Sequence, residues 1–403
     1  MPGFAGAAGR YAALLLSQLQ YRGGEKLMAL PQRHPQLRWA DSGAMWLTGC
    51  SSRPPLCSSA PIAACADGVM AALASLAPGV TLPDAARLLG ERAAIAGHVR
   101  GGSVSPGGSC RLLSAADGVM AVNLPRPDDW SLACAWLEDE GIAGWPDVQR
   151  VLVRWRRAEL LERAAMLGLA VADASGGLEV LPQWCSRVRL GTRAITPLRP
   201  PRVLDLSALW AGPLCGHVFQ LLGAEVIKVE SVKRPDGARS GPEAFFDLLN
   251  GGKSSVAIDL QATQGREQLR SLVMTADIVI ESSRPRALQH MGILAEEVIA
   301  SRAGITWISI TGYGRAANGG LRIAYGDDAA AAGGLSAALF ASSAEWAIGG
   351  DAIADPLTGL HAALAGWVTW LQGGGCLLDI SMAGVVQHCV AQPAVPLLPV
   401  VQH

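Results

Sequence analysis

From residue 202 onward the chain alternates short apolar strands with helical patterns, and that alternation admits few folds. Residues 202–207, 225–230, 255–260, 277–281 and 305–310 each read as a strand. Residues 212–222 and 263–274 read as helices, with Pro213 tolerated in its first helical turn. Strands alternating with helices predict a Rossmann-like, doubly wound parallel sheet. Ligands on such sheets bind outside the carboxyl ends of the strands. The loops 208–212, 231–239 and 282–292 are therefore the first places to look for a site.

The segment from Leu198 to Arg202 contains two adjacent prolines, which stiffen a linker. It divides the chain into an N-terminal helical segment (1–40), a helical and small-domain half (41–195) and an α/β half (196–403). The N-terminal apolar run at 11–19 reads as a helix rather than a signal peptide, because it lacks a basic start and a small-residue cleavage site. Within the middle segment, 41–80 and 84–98 are helical, 101–108 is a flexible glycine-rich loop, 110–123 alternates like a hairpin and 158–167 is helical. The second, smaller domain is therefore α+β.

Charged residues make up 17% of the chain, against about 25% in an average soluble domain. Much of the chain must be buried. The net charge of −1 with no like-charge block gives no footing for nucleic acid or an anionic membrane. No run of about 18 uncharged apolar residues suggests a membrane span. The nine cysteines include no CxxC pair and are not grouped with histidines at metal-ligand spacing, so reduced thiols in a cytoplasmic protein without a metal site are expected.

A weak internal repeat runs through the chain. Residues 42–49 and 62–73 are similar to 333–339 and 353–364, with Gly68 aligned to Gly359. Asp355 then falls opposite Ala64, so only the later copy carries a carboxylate. Pro356 follows it, which suits the first turn of a helix and makes Asp355 a good N-cap. The free amides of that helix start also favour a negative charge, so capping and a nucleophilic carboxylate are both open readings. The helix pattern runs to Leu371 and stops at three consecutive glycines, after which 376–381 reads as a strand.

Other chemistry is poorly supported. There is no GxGxxG or GxxxxGK[ST] loop, so Glu230 at the end of a strand is a weak ribose ligand. Ser207 lacks a nucleophile elbow. His217 and His361 lie in helix patterns and read as packing or surface residues. Arg284 and Arg286 flank Pro285 in a loop after a strand, either as a solvated basic loop or as a phosphate grip.

Taken in order, these stretches resemble the class III CoA-transferases, the group that includes formyl-CoA transferase, carnitine CoA-transferase and α-methylacyl-CoA racemase. The resemblance rests on Val203-Leu-Asp-Leu-Ser207 with Ala211-Gly-Pro213, on 222–230, on 250–259, on 276–285 with Met291-Gly292, on 310–314, on Tyr325, on 355–361 and on 378–382. It implies an interlocked homodimer acting on an acyl-CoA and a carboxylic acid, with coenzyme A thioester as substrate and no permanently bound cofactor. Asp355 would be the nucleophile, passing through an aspartyl anhydride and an aspartyl-CoA thioester. Leu209, Trp210 and Ala211 match the loop lining the CoA site, and Lys253 matches a lysine for a CoA phosphate.

Ser282 and Ser283 replace the usual Asn-Phe, and His290 stands where an arginine is common. Ser231 also replaces a basic residue, with Lys233 and Arg234 close enough to substitute. With Arg284 and Tyr325, these complete the residues expected to bind CoA. The run Tyr325-Gly-Asp-Asp328 lacks the histidine of the racemase branch, which favours transfer over racemisation. A CoA-binding or subunit-interaction protein without turnover is a third reading. The stretches 105–136 and 156–174 resemble the small domain that follows the α/β part in the family, so the order here is permuted. The loop 101–108 is then either a cover over the active site or a connector.

Overall fold

The computed structural model describes residues 6–23, 33–195, 199–316 and 320–396. The Leu198 end of the expected linker and part of segment 1–40 lie outside them. Two sheets organise the chain. Strands β1 (Cys110–Ala115), β2 (Gly118–Asn123) and β3 (Ala170–Asp173) form a small antiparallel sheet in the order β1-β2-β3. Its apolar face packs with Trp136, Leu152, Leu160 and Val171 into a core of its own.

The large sheet has the order β4-β10-β9-β8-β5-β6-β7. Its strands are β4 (Cys185–Arg189), β5 (Arg202–Asp205), β6 (Glu225–Ser231), β7 (Ser254–Ile258), β8 (Ile278–Glu281), β9 (Thr306–Thr311) and β10 (Cys376–Ser381). The six strands β5 to β10 pair in parallel, as the alternating pattern predicts. Strand β4 pairs antiparallel with β10 and comes from before residue 196, so the α/β half does not complete its own sheet. The apolar helix expected at 84–98 is broken into Ala85–Leu88 and Glu91–Ala96.

The longest helix, Ala354–Leu371, buries sixteen of its eighteen residues. Such a helix must be covered on every side, because each large apolar side chain removed from water stabilises by about 1.5–3 kcal/mol. One flank is closed by the Ala211–Leu221 helix. Another is closed by the Ile62–Leu76 helix, which buries thirteen of its fifteen residues. Tyr11, on the Ala7–Gln18 helix, bonds His361 across this core (Oη–Nε2, 2.8 Å), and His361 Nδ1 lies 2.7 Å from the Leu357 carbonyl. Since a carbonyl can only accept, Nδ1 carries the proton and Nε2 accepts from the tyrosine. His361 is thus a packing residue, as its helix pattern suggests.

The internal repeat is visible in three dimensions. Gly43 and Gly334, both left-handed (φ 77° and 91°), precede helical turns in the two copies. A Cβ at Gly359 would lie 2.6 Å from the Ala211 carbonyl oxygen. One at Gly68 would lie 2.6 Å from the Ala8 carbonyl oxygen. The Ala7–Gln18 and Ile62–Leu76 helices, like the Ala211–Leu221 and Ala354–Leu371 helices, thus approach closely at a glycine. Gly68→Val should force the first pair apart and cost about 1–3 kcal/mol by overpacking, read as a lower midpoint in chemical denaturation.

Candidate active site

The loop after β5 and the start of the Ala354–Leu371 helix meet at the carboxyl edge of the sheet. Leu209 sits there in a left-handed conformation (φ 70°), with its amide bonded to Asp236 Oδ1 (2.8 Å). Asp236 is held by a buried ion pair with Lys228 (2.8 Å), whose Nζ also reaches the Ser207 carbonyl (3.0 Å). This network fixes the turn that delivers Trp210 and Ala211. Trp210 is buried, and Ala211 opens the next helix.

The expectation that Asp355 caps its helix is corrected. Ala352 is left-handed (φ 45°), and Asp355 N donates to its carbonyl (2.9 Å), so the helix starts at Ala354 and Ile353 takes the cap position without a side-chain bond. Asp355 lies inside the first turn. Pro356 follows at the next position, where the backbone N–H has no intrahelical partner to lose. Leu209 and Ala352 are two of only five non-glycine residues with positive φ among the described residues, the first lying two residues before Ala211 and the second three before Asp355. Strained backbone of this kind concentrates at functional sites.

Freed from capping, the Asp355 carboxyl group faces a crowded polar niche. A side chain at Gly326 would collide with its Oδ2 and with the Ala352 carbonyl, so only glycine admits the carboxylate there. Burial pushes its pKa up to about 7. Arg92 and the Ala211 amide oppose the shift, while Asp327 and Asp351 add to it. Asp327 receives the Ala352 amide (2.8 Å) and is raised to about 6, chiefly by burial and then by Asp351. Asp328 receives Asn123 Nδ2 (2.8 Å) and the Tyr325 amide (3.0 Å) and is raised to about 7, again chiefly by burial. Asp351, fully buried, takes a two-pronged bond from Arg92 through Nε (2.8 Å) and Nη2. Among the described residues, no group of three or more His, Cys, Asp or Glu is arranged to hold a metal ion.

The small domain and the N-terminal helices reach this niche. Asn123 ends β2, and Arg92 lies on the Glu91–Ala96 helix. The segment 101–108, expected as a flexible loop, is instead tied down. Gly102 N bonds the Gly49 carbonyl (3.0 Å), Ile348 N bonds the Gly102 carbonyl (3.0 Å), and the Ser105 hydroxyl draws the Asp327 pKa down. The loop is thus bonded to neighbouring segments on both sides.

The remaining expected residues are scattered around the rim. Lys233 and Arg234 are exposed just beyond β6, and Arg284 and His290 are exposed at the two ends of a short helix. Ser282 accepts from the Ala208 amide (3.2 Å) and so braces the Leu209 loop, while Ser283 is half-buried beside it. Tyr325 immediately precedes the Gly326–Ala332 helix that carries Asp327 and Asp328.

Lys253 is a correction. Its ammonium is buried and donates to Asp205 (2.9 Å), the Pro213 carbonyl (2.8 Å) and Asn250 (3.0 Å), which uses all three protons. It anchors the β5 loop and has no donor left for a phosphate. Glu230 is likewise engaged, paired to Arg239 (2.6 Å). Arg92 and Asp351 were not legible as site residues, since nothing local in their sequence marks them.

Two predictions come from this geometry. Lys253→Met leaves Asp205 buried without its partner and should destabilise by about 3–5 kcal/mol, measured by urea unfolding at pH 7. The second concerns Asp355, whose folded pKa of about 7 lies above its ordinary 3.8. The stability this group contributes is therefore fully present below pH 4 and is lost as pH rises through 7. Asp355→Asn removes that loss. Its melting temperature should match the parent near pH 4 and exceed it at pH 8, by the equivalent of on the order of 4 kcal/mol.

Comparison with known proteins gives matches over about half of the chain. Residues 198–396 match the family described as CoA-transferase family III. A succinyl-CoA–D-citramalate CoA-transferase of Chloroflexus aurantiacus is 32% identical over 197 residues, covering 46% of this chain and 49% of that protein. A mouse succinyl-CoA:glutarate CoA-transferase is 31% identical over 222 residues, covering 52% and 51%. A formyl-CoA:oxalate CoA-transferase of Escherichia coli is 30% identical over 173 residues, covering 41% and 42%. The chain thus spans about half the length of these relatives or less. A solved CAIB/BAIF family protein from Brucella suis is 30% identical over 49% of this chain and 56% of its own, with a TM-score of 0.43. Residues 198–396 of this chain are therefore similar to CoA-transferase family III.

Proposed function

We propose that the protein transfers coenzyme A from an acyl-CoA thioester to a carboxylic acid, with Asp355 as the nucleophile. The observation that carries this reading is the Asp355 carboxyl group, part-buried in the first turn of a helix among buried carboxylates and Arg92, with the Ala211 amide facing it. One Asp355 oxygen attacks the thioester carbonyl, and CoA leaves as thiolate, forming a mixed anhydride. The thiolate attacks the Asp355 acyl carbon and releases the donor acid as carboxylate. The acceptor carboxylate then attacks the aspartyl-CoA thioester, expelling the thiolate again. Attack of the thiolate on the acceptor acyl carbon yields the new acyl-CoA and returns Asp355 as carboxylate.

Each step passes through an oxyanion that the Ala211 amide, already facing the Asp355 carboxyl group, can stabilise. Leu209, Trp210 and Ala211 would border the thioester end of CoA, with exposed Lys233, Arg234 and Arg284 near its phosphates. Proton transfer at an α-carbon is the less favoured reading, because Asp327, the group beside Asp355, is buried and bonded to the Ala352 amide. Among the relatives, the acids named in their descriptions are citramalate, glutarate and oxalate, so small dicarboxylic acids are the first acceptors to test.

The test is chemical capture. Incubation with acyl-CoAs followed by hydroxylamine or borohydride should modify Asp355, as seen by peptide mass spectrometry. Asp355→Asn should abolish capture and lower turnover by on the order of a thousand-fold or more. Absence of any adduct, despite measurable CoA binding, overturns the reading in favour of a non-catalytic CoA-binding protein.

A further inference from the structure

Arg92 is the feature of the niche that the family match does not reach, since it lies more than a hundred residues before residue 198. Its guanidinium grips Asp351 with two nitrogens and sits over the Trp210 ring, 5.3 Å from the centroid. Asp351 precedes Asp355 by one turn of chain, and Trp210 precedes the amide that faces Asp355. Arg92 is thus clamped between the two segments that build the site. The charged and titratable groups around Asp355 are Asp327 and Asp328 from the Gly326–Ala332 helix, Asp351 from the preceding turn, Arg92, His98 at 3.7 Å from Asp351, and Cys110 beside Asp327 and Asp328. Carboxylates outnumber cations in this set, and Arg92, bonded to Asp351 four residues before Asp355, is its guanidinium.

We propose that Arg92, supplied by the N-terminal half and locked in place by Asp351, is the positioning residue that keeps the Asp355 carboxylate ionised and oriented for attack. The first copy of the repeat, which has Ala64 where the second has Asp355, would then serve as a non-catalytic half. Its helices cover the Ala354–Leu371 helix, and the segment following them brings the compensating charge. As a role in catalysis this rests on the CoA-transfer reading; as a positioning role it rests on the clamp of Arg92 between Asp351 and Trp210.

The experiment is a pH titration of the full chain labelled with [13Cγ]aspartate, with the Asp355 resonance assigned by its loss in Asp355→Asn. Arg92→Met should raise the Asp355 midpoint by about one pH unit or more, as removal of a nearby opposite charge does. Arg92→Gln, which keeps a donor for Asp351, carries the same expectation should the methionine variant fold poorly. Arg92→Lys should restore most of the parent midpoint. If Arg92 only braces the fold, melting temperature falls while the midpoint stays put, and that result overturns the proposal. So does a lysine variant shifted as far as methionine. In parallel, the acid limb of hydroxylamine capture should move with the midpoint. A shifted midpoint without capture at any pH supports the role of Arg92 and overturns the CoA-transfer reading instead.

Discussion

The burial of the Ala354–Leu371 helix is the constraint on which the rest of the structure depends. With sixteen of its eighteen residues buried, no face of that helix can be left to solvent. The sheet covers one side and the Ala211–Leu221 helix another. The remaining cover is the Ile62–Leu76 helix, itself almost wholly buried, with the Ala7–Gln18 helix behind it. The N-terminal helices are therefore part of the same core as the family-matched half rather than an appendage to it.

That packing has a consequence for chemistry. The glycine at each crossing lets helix backbones approach closely, and at Gly359 the backbone approached is Ala211, whose amide faces Asp355. The same contact that closes the core brings the 209–211 loop to the carboxylate. Two buried ion pairs, Lys253–Asp205 and Lys228–Asp236, then hold that loop from beneath. Their desolvation is costly, and their return is conformational: they fix Leu209 and Trp210 in place at the sheet edge.

The strands and helices of the second half were legible because their periodicities are strong and their boundaries are marked by glycine and proline. Strands β5 to β10 lie within a residue or two of their expected ends. Asp355 was legible as a candidate because the repeat isolates it. Its local conformation was not, since the left-handed turn at Ala352 is set by Asp327 holding the Ala352 amide from another helix. Lys253 misled for a related reason. A lysine after Asn-Gly-Gly looks available to an anion until the sheet brings Asp205 against it.

What the sequence determined by itself is therefore the parallel α/β half, the order of its motifs and the single carboxylate of the duplicated element. These are properties of local pattern, read within windows of a few turns. What only the tertiary structure decided is which charges surround that carboxylate. Arg92 and Asn123 lie more than two hundred residues from Asp355, yet they join one buried niche with Asp327, Asp328 and Asp351. In so low a dielectric, the ionisation of Asp355 is governed by groups that are neighbours in space and strangers in sequence.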